Sequence, residues 1–287
     1  MDVRILALLA SFGPALLWLW FFYSRDRFER EPKSLIGKLF LWGLLSGVWA
    51  AGLNDLLRGL LGPAIDSAGA SGAISLAIGL LAAMVFLAAL NEETMKYLVT
   101  TNSTRNDPNF NERFDGMVYM STAALGFAGG ENFIYIIQTF VGVLQATAKD
   151  GAPAPGATTQ AFVAAFAVTA PLRALLSTIG HVAWSGIVGY FLALRVIEKR
   201  PPWVVTGGVL LAATLHTAFN LPQFLQRGLA PEAGLFSRFF LVTVAVWAVS
   251  VIVYFLLMRR SLAASPFRSK QLAPAAAVVE PARPPSP

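Results

Sequence analysis

The sequence contains no cysteine among its 287 residues and only two histidines, His181 and His216. The lack of cysteine excludes disulfides, zinc sites with cysteine ligands and a thiolate nucleophile. Charged residues are also scarce, since they form 13% of the chain against roughly 25% in soluble domains. Hydrophobic residues form 56% of the chain. A protein with so few charges cannot cover its surface in water, so the composition indicates an integral membrane protein.

The apolar residues of the sequence are concentrated in long runs. A hydrocarbon core about 30 Å thick needs about 20 apolar residues of helix to cross it. Seven runs are long enough, which predicts an all-α, polytopic bundle of transmembrane helices. These runs lie near residues 3–23, 35–57, 74–101, 115–141, 172–194, 203–226 and 236–258.

The stretch 160–170 is apolar as well, but it is too short to span a membrane alone. Pro171 follows it and is expected to end its helix. We therefore interpret this stretch as a re-entrant or interfacial helix that leads into span five. A bundle of eight spans is the alternative.

Lysine and arginine are distributed unevenly between the loops. Fifteen of them follow spans one, three, five and seven, whereas the opposite side carries five, namely Arg4, Arg58, Lys149, Arg227 and Arg238. The positive-inside rule then predicts an extracytoplasmic N-terminus and a cytoplasmic C-terminus. Because the lysines and arginines lie in short clusters between apolar runs, the net charge of +6 reflects membrane topology and does not indicate a nucleic-acid partner. We divide the chain into a transmembrane domain, 1–263, and a Pro/Ala-rich cytoplasmic tail, 264–287, that is predicted to be disordered.

Ionisable residues interrupt four consecutive spans, three to six. Each costs roughly 2.5–3.5 kcal/mol at the centre of a bilayer, so a cluster of them indicates a functional site. Residues four apart lie on one face of a helix. Six pairs have this spacing: Glu92 with Lys96, Phe127 with Glu131, Glu131 with Tyr135, Arg173 with Ser177, Ser177 with His181, and His216 with Asn220. The pattern predicts one shared site in the interior of the bundle.

Part of the pattern also fits a structural role. Glu92 and Lys96 could form an ion pair within one helix, and Asn220 could form a hydrogen bond between helices. Gly126 and Gly130, four apart, are typical of a surface where helices pack closely. Two adjacent glutamates, a third glutamate and both histidines inside spans favour a catalytic role more than a structural one.

Carboxylates and imidazoles without cysteine form a set that can activate water. Two known kinds of intramembrane site are excluded by motif. The sequence has no His-Glu-x-x-His, which would place two zinc ligands and a base on one helix face. It also has no aspartate pair within spans, because its aspartates lie in predicted loops or at span ends.

Four motifs occur in order on spans three to six. They are Glu-Glu-x-x-Lys at 92–96, Gly-Phe-x-x-x-Glu-Asn-x-x-Tyr at 126–135, His181, and His-x-x-Phe-Asn at 216–220. Together they resemble the PrsW family of intramembrane proteases over residues 90–220. PrsW-like proteins are similar in turn to the CAAX prenyl protease and abortive-infection superfamily. That superfamily has an arginine one residue beyond the position of Lys96, and a histidine where this chain has Glu131.

The resemblance implies an endopeptidase of the bacterial inner membrane that cleaves a membrane-anchored protein, which for the founding member is an anti-sigma factor. It implies that Glu92 is the base, that Glu93 supports it, and that His181, His216 and Asn220 orient water and hold the oxyanion. The supporting residues would be Glu131, Lys96, Asn132, Tyr135 and Arg173. The cofactor stays open between none and a divalent metal such as zinc, with Glu93, Glu131, His181 and His216 as the candidate ligands.

Two other classes of protein fit some of these observations. An ion- or proton-coupled transporter also carries glutamate and histidine in its spans. The sequence lacks the duplicated halves with broken helices that many transporters show. A membrane scaffold, whose polar residues only hold helices together, is the third alternative.

The depth of the candidate residues gives a further expectation. At about 1.5 Å per residue, Glu92 lies about 27 Å from the outer end of its predicted span, and His216 about 20 Å from the inner end of its own. These depths differ by more than about 10 Å in a core of about 30 Å. We therefore expect span three to be tilted, kinked or shifted toward the cytoplasm, and the site to lie in a hydrated cavity.

Overall fold

The computed structural model describes residues 2–26, 28–149, 152–229, 234 and 237–268. Within these residues, seven helical segments are long and apolar enough to cross a membrane, which confirms the predicted all-α bundle and its number of spans. Which terminus is extracytoplasmic stays a prediction. The predicted disordered tail lies outside the described residues from 269 onward.

The helices are long except for the fifth and the sixth, which lie between the fourth and the seventh. In chain order they are α1 (Val3–Tyr23), α2 (Lys33–Ala70), α3 (Ile74–Thr104), α4 (Arg113–Ala146), α5 (Ala157–Phe162), α6 (Ala170–Leu172), α7 (Thr178–Ile197), α8 (Trp203–Leu229) and α9 (Arg238–Ala263). Two π-helical stretches, Val163–Thr169 and Arg173–Ser177, join α5 to α6 and α6 to α7. Between α4 and α5, the strands β1 (Ala148–Lys149) and β2 (Ala152–Pro153) pair in antiparallel fashion.

The helix that was expected to stop at Pro171 continues through it. Residues 157–197 form one helical run of 41 residues, and the described residues give seven spans rather than eight. Proline has no N–H and disrupts regular α-helical hydrogen bonding. The π-helical stretches on both sides of α6 change that hydrogen-bonding pattern, so Pro171 is accommodated. The prediction of a separate re-entrant or interfacial helix is therefore wrong.

The expected difference in depth between Glu92 and His216 is also absent. Helix α3 continues for twelve residues beyond Glu92 and ends at Thr104, whereas His216 lies thirteen residues after Trp203, where α8 begins. These separations correspond to about 18 and 20 Å from the same end of the bundle. The two residues meet because α3, with 31 residues, is longer than a membrane-crossing helix needs to be.

Glycines bring α2 and α4 into backbone contact. A Cβ atom at Gly126 would lie 1.9 Å from the carbonyl oxygen of Phe40, and one at Gly43 would lie 2.0 Å from that of Ala123. A Cβ atom at Gly130 would lie 2.7 Å from a side-chain carbon of α2. The predicted close-packing surface at Gly126 and Gly130 is thus confirmed.

We call the basic end of the bundle the end that holds the loops 24–32, 105–112 and 198–202. There the loop after α1 is tied to α4, because the Tyr119 hydroxyl donates a short hydrogen bond to Glu31 Oε2. The backbone N–H of Glu31 donates to Asp26 Oδ2 at 3.2 Å. Burial, with a further contribution from the charge of Asp115, raises the pKa of Glu31 to about 9. A neutral Glu31 can stay buried without a cation, two residues before α2 begins at Lys33.

Candidate active site

Four helices bring the predicted ionisable side chains to one place in the interior. Helix α3 supplies three of them and helices α4, α7 and α8 supply one each, namely Glu92, Glu93, Lys96, Glu131, His181 and His216. The most exposed of these side chains is Glu131, at 22%.

Glu93 lies behind the other groups and is fully buried. Its Oε1 accepts a hydrogen bond from Lys96 Nζ at 2.7 Å, and its Oε2 accepts one from Ser185 Oγ at 2.7 Å. The Nδ1 atom of His216 is 3.3 Å from Glu93 Oε1, although this pair lacks hydrogen-bond geometry. Lys96 therefore pairs with Glu93, three residues away, and not with Glu92 as the spacing of four suggested.

Both ring nitrogens of His181 have partners. Its Nδ1 lies 2.9 Å from Lys96 Nζ, and its Nε2 lies 2.9 Å from Glu131 Oε2. An ammonium group can only donate, so Nδ1 must accept this hydrogen bond. Nε2 then carries the proton that is donated to Glu131. This arrangement fixes one tautomer of His181 and leaves the ring without a free lone pair.

Arg173 completes the partners of Glu131. Its Nη2 donates to Glu131 Oε2 at 2.6 Å, and its Nε donates to Asn132 Oδ1 at 2.7 Å. The guanidinium carbon lies 3.9 Å from the ring centroid of Tyr135. All four of these residues were predicted to support the site, and they form one network between α4 and the helical run that contains α7.

His216 is held in place by an aromatic stack. Its ring lies 4.1 Å from the ring of Trp184 at an interplanar angle of 15°. The ring of His181 stands nearly perpendicular to it at 4.9 Å. Trp184 was not predicted as a site residue. Its position three residues after His181, on the same face of α7, is the sequence signal that could have indicated it.

Glu92 has one fixed and one free oxygen. Its Oε1 accepts a hydrogen bond from Asn54 Nδ2 at 3.0 Å, and Asn54 Oδ1 accepts one from Asn91 Nδ2 at 2.9 Å. Its Oε2 is buried without a hydrogen-bond partner among the described residues. That oxygen lies 3.8 Å from His216 Nε2. Asn54 was not predicted as a site residue, because it lies on span two, outside the four spans that ionisable residues interrupt.

The expected cavity lies against these groups and has a volume of about 310 Å³. Its polar end is lined by Glu92, Glu131, His181, His216 and Asn220, whereas Glu93 and Lys96 lie behind the wall. Asn220 therefore lines the cavity, and its role in orienting water and holding the oxyanion stays a prediction. The wall also has apolar residues, namely Met84, Val85, Leu172, Leu176, Phe219 and Phe240.

The charges of the site are nearly balanced. It contains three carboxylates and two permanent cations, namely Glu92, Glu93, Glu131, Lys96 and Arg173. With both histidines neutral, the sum is one negative charge, and an uncompensated buried charge is costly. One additional proton balances the site. Glu92 Oε2 and His216 Nε2 face each other, and they are the atoms that can share it.

A divalent metal ion needs several ligand atoms close together, each with a free lone pair. Glu92, His181 and His216 each offer one ligand atom, and these atoms lie within 4.8 Å of one another. A histidine ligand must offer a lone pair, and His181 has none free in this arrangement. The predicted ligands Glu93 and Glu131 are already bonded to cationic side chains. Proximity alone thus favours a metal site, whereas the hydrogen bonding shows that the residues do not fit one as they are arranged.

Residues 31–266 match the family described as "PrsW family intramembrane metalloprotease". This chain belongs to the PrsW family. A relative named Protease PrsW from Geobacillus kaustophilus is 28% identical over 213 residues, which are 74% of this chain and 76% of the relative. Relatives of the same name from Clostridioides difficile and Bacillus subtilis are 26% and 24% identical, over 79% and 74% of this chain and 81% and 79% of their own lengths. The chain has no significant match among solved structures.

Membership of the PrsW family confirms the resemblance that the four motifs indicated. It identifies a protease that acts on a protein substrate in a membrane, rather than a transporter or a scaffold. The seven apolar helices fit a bacterial, multi-pass integral membrane protein. The description of the PrsW family as metalloproteases disagrees with the hydrogen bonding of His181, and this disagreement bears on the mechanism.

Proposed function

We propose that this PrsW-family protein is an intramembrane endopeptidase in which Glu92 activates water without a metal ion. The observation that supports the proposal is the asymmetry of the Glu92 carboxylate. One oxygen is held by Asn54, while the other is buried, lacks a partner among the described residues and lies 3.8 Å from His216 Nε2. A base needs a fixed orientation together with one free lone pair at the reacting centre.

In the resting site, the additional proton is held by His216, whose Nδ1 side faces the Glu93 carboxylate. Glu92 is then ionised and can take a proton from a water molecule in the cavity. The water oxygen attacks the carbonyl carbon of the peptide bond, and the carbonyl π electrons move to oxygen. His216 Nε2–H donates a hydrogen bond to the resulting oxyanion.

The second half of the reaction returns the proton. The oxyanion re-forms the carbonyl bond as the carbon–nitrogen bond breaks, and the leaving amine takes the proton that Glu92 received. The products are a carboxylic acid and an amine, and Glu92 is ionised again. Lys96 and Glu93 do not touch the substrate in this scheme, since both lie behind the wall of the cavity.

The proposal specifies the class of the substrate and not the individual protein. The cavity is bordered by helices of a membrane bundle, so its substrate is a membrane-anchored protein with an extended segment that can enter. An anti-sigma factor, as implied by the resemblance to the PrsW family, stays a prediction.

The substitution Glu92→Gln tests the base. Glutamine keeps the size of the side chain and an oxygen acceptor for Asn54, but it cannot take a proton from water. We expect kcat for cleavage by purified protein to fall about 10²- to 10⁴-fold while the protein stays folded. Glu198→Gln is the matched control, because Glu198 pairs with Arg113 and Arg200 away from the cavity. Activity of Glu92→Gln within tenfold of the unsubstituted protein would contradict the proposal.

A metal analysis of purified, active protein tests the metal-free mechanism separately. We expect cleavage to persist after chelator treatment and zinc to be well below one atom per chain. Stoichiometric zinc together with chelator-sensitive cleavage would overturn the metal-free mechanism and leave the peptidase function intact.

A further inference from the structure

Two arginines line the cavity at its end away from the histidines. Arg58 comes from α2 and Arg227 from α8. Both are on the side opposite the basic end, where the sequence has five lysines and arginines. Two of these five cations therefore lie at the mouth of one cavity, which is a concentration of positive charge on a side otherwise poor in it.

The contacts of both arginines in the structure are weak. The guanidinium of Arg58 lies 3.8 Å from Asp55 Oδ1, and the two side chains are 70% and 75% exposed. Such an exposed ion pair contributes little and is easily exchanged. The guanidinium of Arg227 lies 5.6 Å from the ring centroid of Phe224. Both guanidinium groups can therefore bind an anion that enters the mouth.

The positions of the arginines along their helices give their distances from the catalytic groups. Arg58 follows Asn54, the partner of Glu92, by four residues, or about 6 Å along α2. Arg227 follows His216 by eleven residues, or about 16 Å along α8. An extended peptide advances about 3.3 Å per residue. The arginines therefore stand about two and about five residues from a peptide bond held at Glu92.

We propose that Arg58 and Arg227 recognise acidic side chains of the substrate, about two to five residues from the scissile bond, on the side predicted to be extracytoplasmic. This inference rests on the proposed endopeptidase function. The catalytic groups then lie at the inner end of the cavity, and the two arginines lie about 6 and 16 Å farther out along their helices. The matching substrate segment has apolar residues at the scissile bond and glutamate or aspartate beyond them.

An anionic lipid could also place its phosphate between the two arginines. Its acyl chain would then fill the cavity and cover the free oxygen of Glu92 with hydrocarbon, which is unfavourable for an unpaired polar group. A peptide can instead offer backbone N–H and C=O groups to the same atoms. The polar inner end of the cavity favours the peptide.

The experiment uses the full-length protein in phosphatidylcholine vesicles, with and without added phosphatidylglycerol as an anionic lipid, and a pool of synthetic single-span peptides. The peptides differ in carrying glutamate, glutamine or lysine at scanned positions, and mass spectrometry locates each cut. Glutamate two to five residues from the cut is expected to raise the initial rate about three- to tenfold over glutamine. In the double variant Arg58→Glu/Arg227→Glu, lysine should be preferred by a similar factor. Arg238→Glu, on the same side but not part of the cavity wall, should leave the preference unchanged.

Each other result overturns the inference. Equal rates for glutamate and glutamine peptides, or an equal loss for all peptides in the double variant, would leave the protease without this recognition site. So would rates that follow the content of anionic lipid while the preference among peptides stays the same. If Glu92→Gln cuts every peptide as fast as the unsubstituted protein, the proposed function fails together with the inference, and this outcome is distinct from the others.

Discussion

At the scale of single residues, the ionisable groups around the cavity differ in whether their atoms have partners. Lys96 donates to Glu93 and lies beside His181 Nδ1. Glu131 is shared by Arg173 and His181. Among the described residues, the exceptions are the free oxygen of Glu92 and Nδ1 of His216, and these two side chains face each other. The surrounding ion pairs fix the positions of the groups, and the free oxygen is left for chemistry.

The first prediction concerns Asn54. Replacing it with leucine removes the hydrogen bond that orients Glu92, and a hydrogen bond to a charged group contributes roughly 1.5–3 kcal/mol. We expect kcat to fall about 10- to 100-fold with KM nearly unchanged. Asn54→Gln, which keeps an N–H donor, should recover part of the loss. Steady-state kinetics measure both, and a leucine variant with normal kcat would show that Asn54 does not position Glu92.

The second prediction concerns the buried pair of Glu93 and Lys96. Lys96→Met leaves the Glu93 carboxylate buried without its cation, which costs about 3–5 kcal/mol. The double variant Glu93→Gln/Lys96→Met removes both charges, so it should regain most of the lost stability. Thermal unfolding of the detergent-solubilised protein gives the comparison. A double variant as unstable as Lys96→Met would contradict a role for the unpaired charge.

The sequence predicted which residues gather at the site better than it predicted how they pair. Spacing within one helix placed Glu92 and Lys96 on one face, yet Lys96 bonds Glu93 and His181. The hydrogen bond of Lys96 to His181 depends on where α7 lies, and the periodicity of α3 gives no information about the position of another helix. Asn54 and Ser185 were missed for the same reason, since each acts through a contact with α3 from another helix.

At the scale of helices, α4 is the element around which the site is assembled. It carries Glu131 and Asn132, contacts α2 through Gly126 and is buried continuously from Phe114 to Gly129. Helix α2 in turn carries Asn54. The close approach of α2 and α4 therefore fixes the orientation of Glu92 indirectly.

The third prediction follows from that approach. In Gly126→Ala the new Cβ would lie 1.9 Å from the carbonyl oxygen of Phe40, so α2 must move. Overpacking of this kind costs about 1–3 kcal/mol or more, and activity should fall with stability. Gly142→Ala, on the same helix with no atom within 4 Å, is the control and should be neutral or slightly stabilising. Equal unfolding temperatures for the two variants would contradict the packing argument.

The ends of the helices were less predictable than their number. Apolar composition shows which residues can lie in lipid, and it does not show where a helix stops after leaving the membrane. Helix α2 has 38 residues and extends to Ala70, whereas the apolar run stopped at 57. The π-helical turns around Pro171 could not be predicted from composition, because they are defined by backbone hydrogen bonds.

At the scale of the whole molecule, the charge of the loops predicts how the bundle sits in the membrane. Helices α1, α3, α7 and α9 end at the side rich in lysine and arginine, and the cavity mouth with Arg58 and Arg227 lies at the other side. If the positive-inside rule holds, substrate enters from the extracytoplasmic half.

The fourth prediction tests this orientation. Reporter fusions after residues 32, 107, 199 and 265 should be cytoplasmic, and fusions near 65, 152 and 230 should be extracytoplasmic. Alkaline phosphatase and fluorescent-protein fusions report the two sides. An extracytoplasmic signal at residue 107 would contradict the orientation and place the cavity mouth in the cytoplasmic half.

The balance of charges in the site also determines how the products leave. Hydrolysis turns a neutral amide into a carboxylic acid and an amine, which become a carboxylate and an ammonium ion when a proton passes between them, next to Glu92, Glu93 and Glu131. The empty site is neutral with its one additional proton, so a carboxylate that stays behind after the amine has left adds an uncompensated negative charge, which is costly in a buried site. This cost favours release over the reverse reaction. Cleavage in this cavity is therefore expected to be resistant to inhibition by its own carboxyl-terminated product.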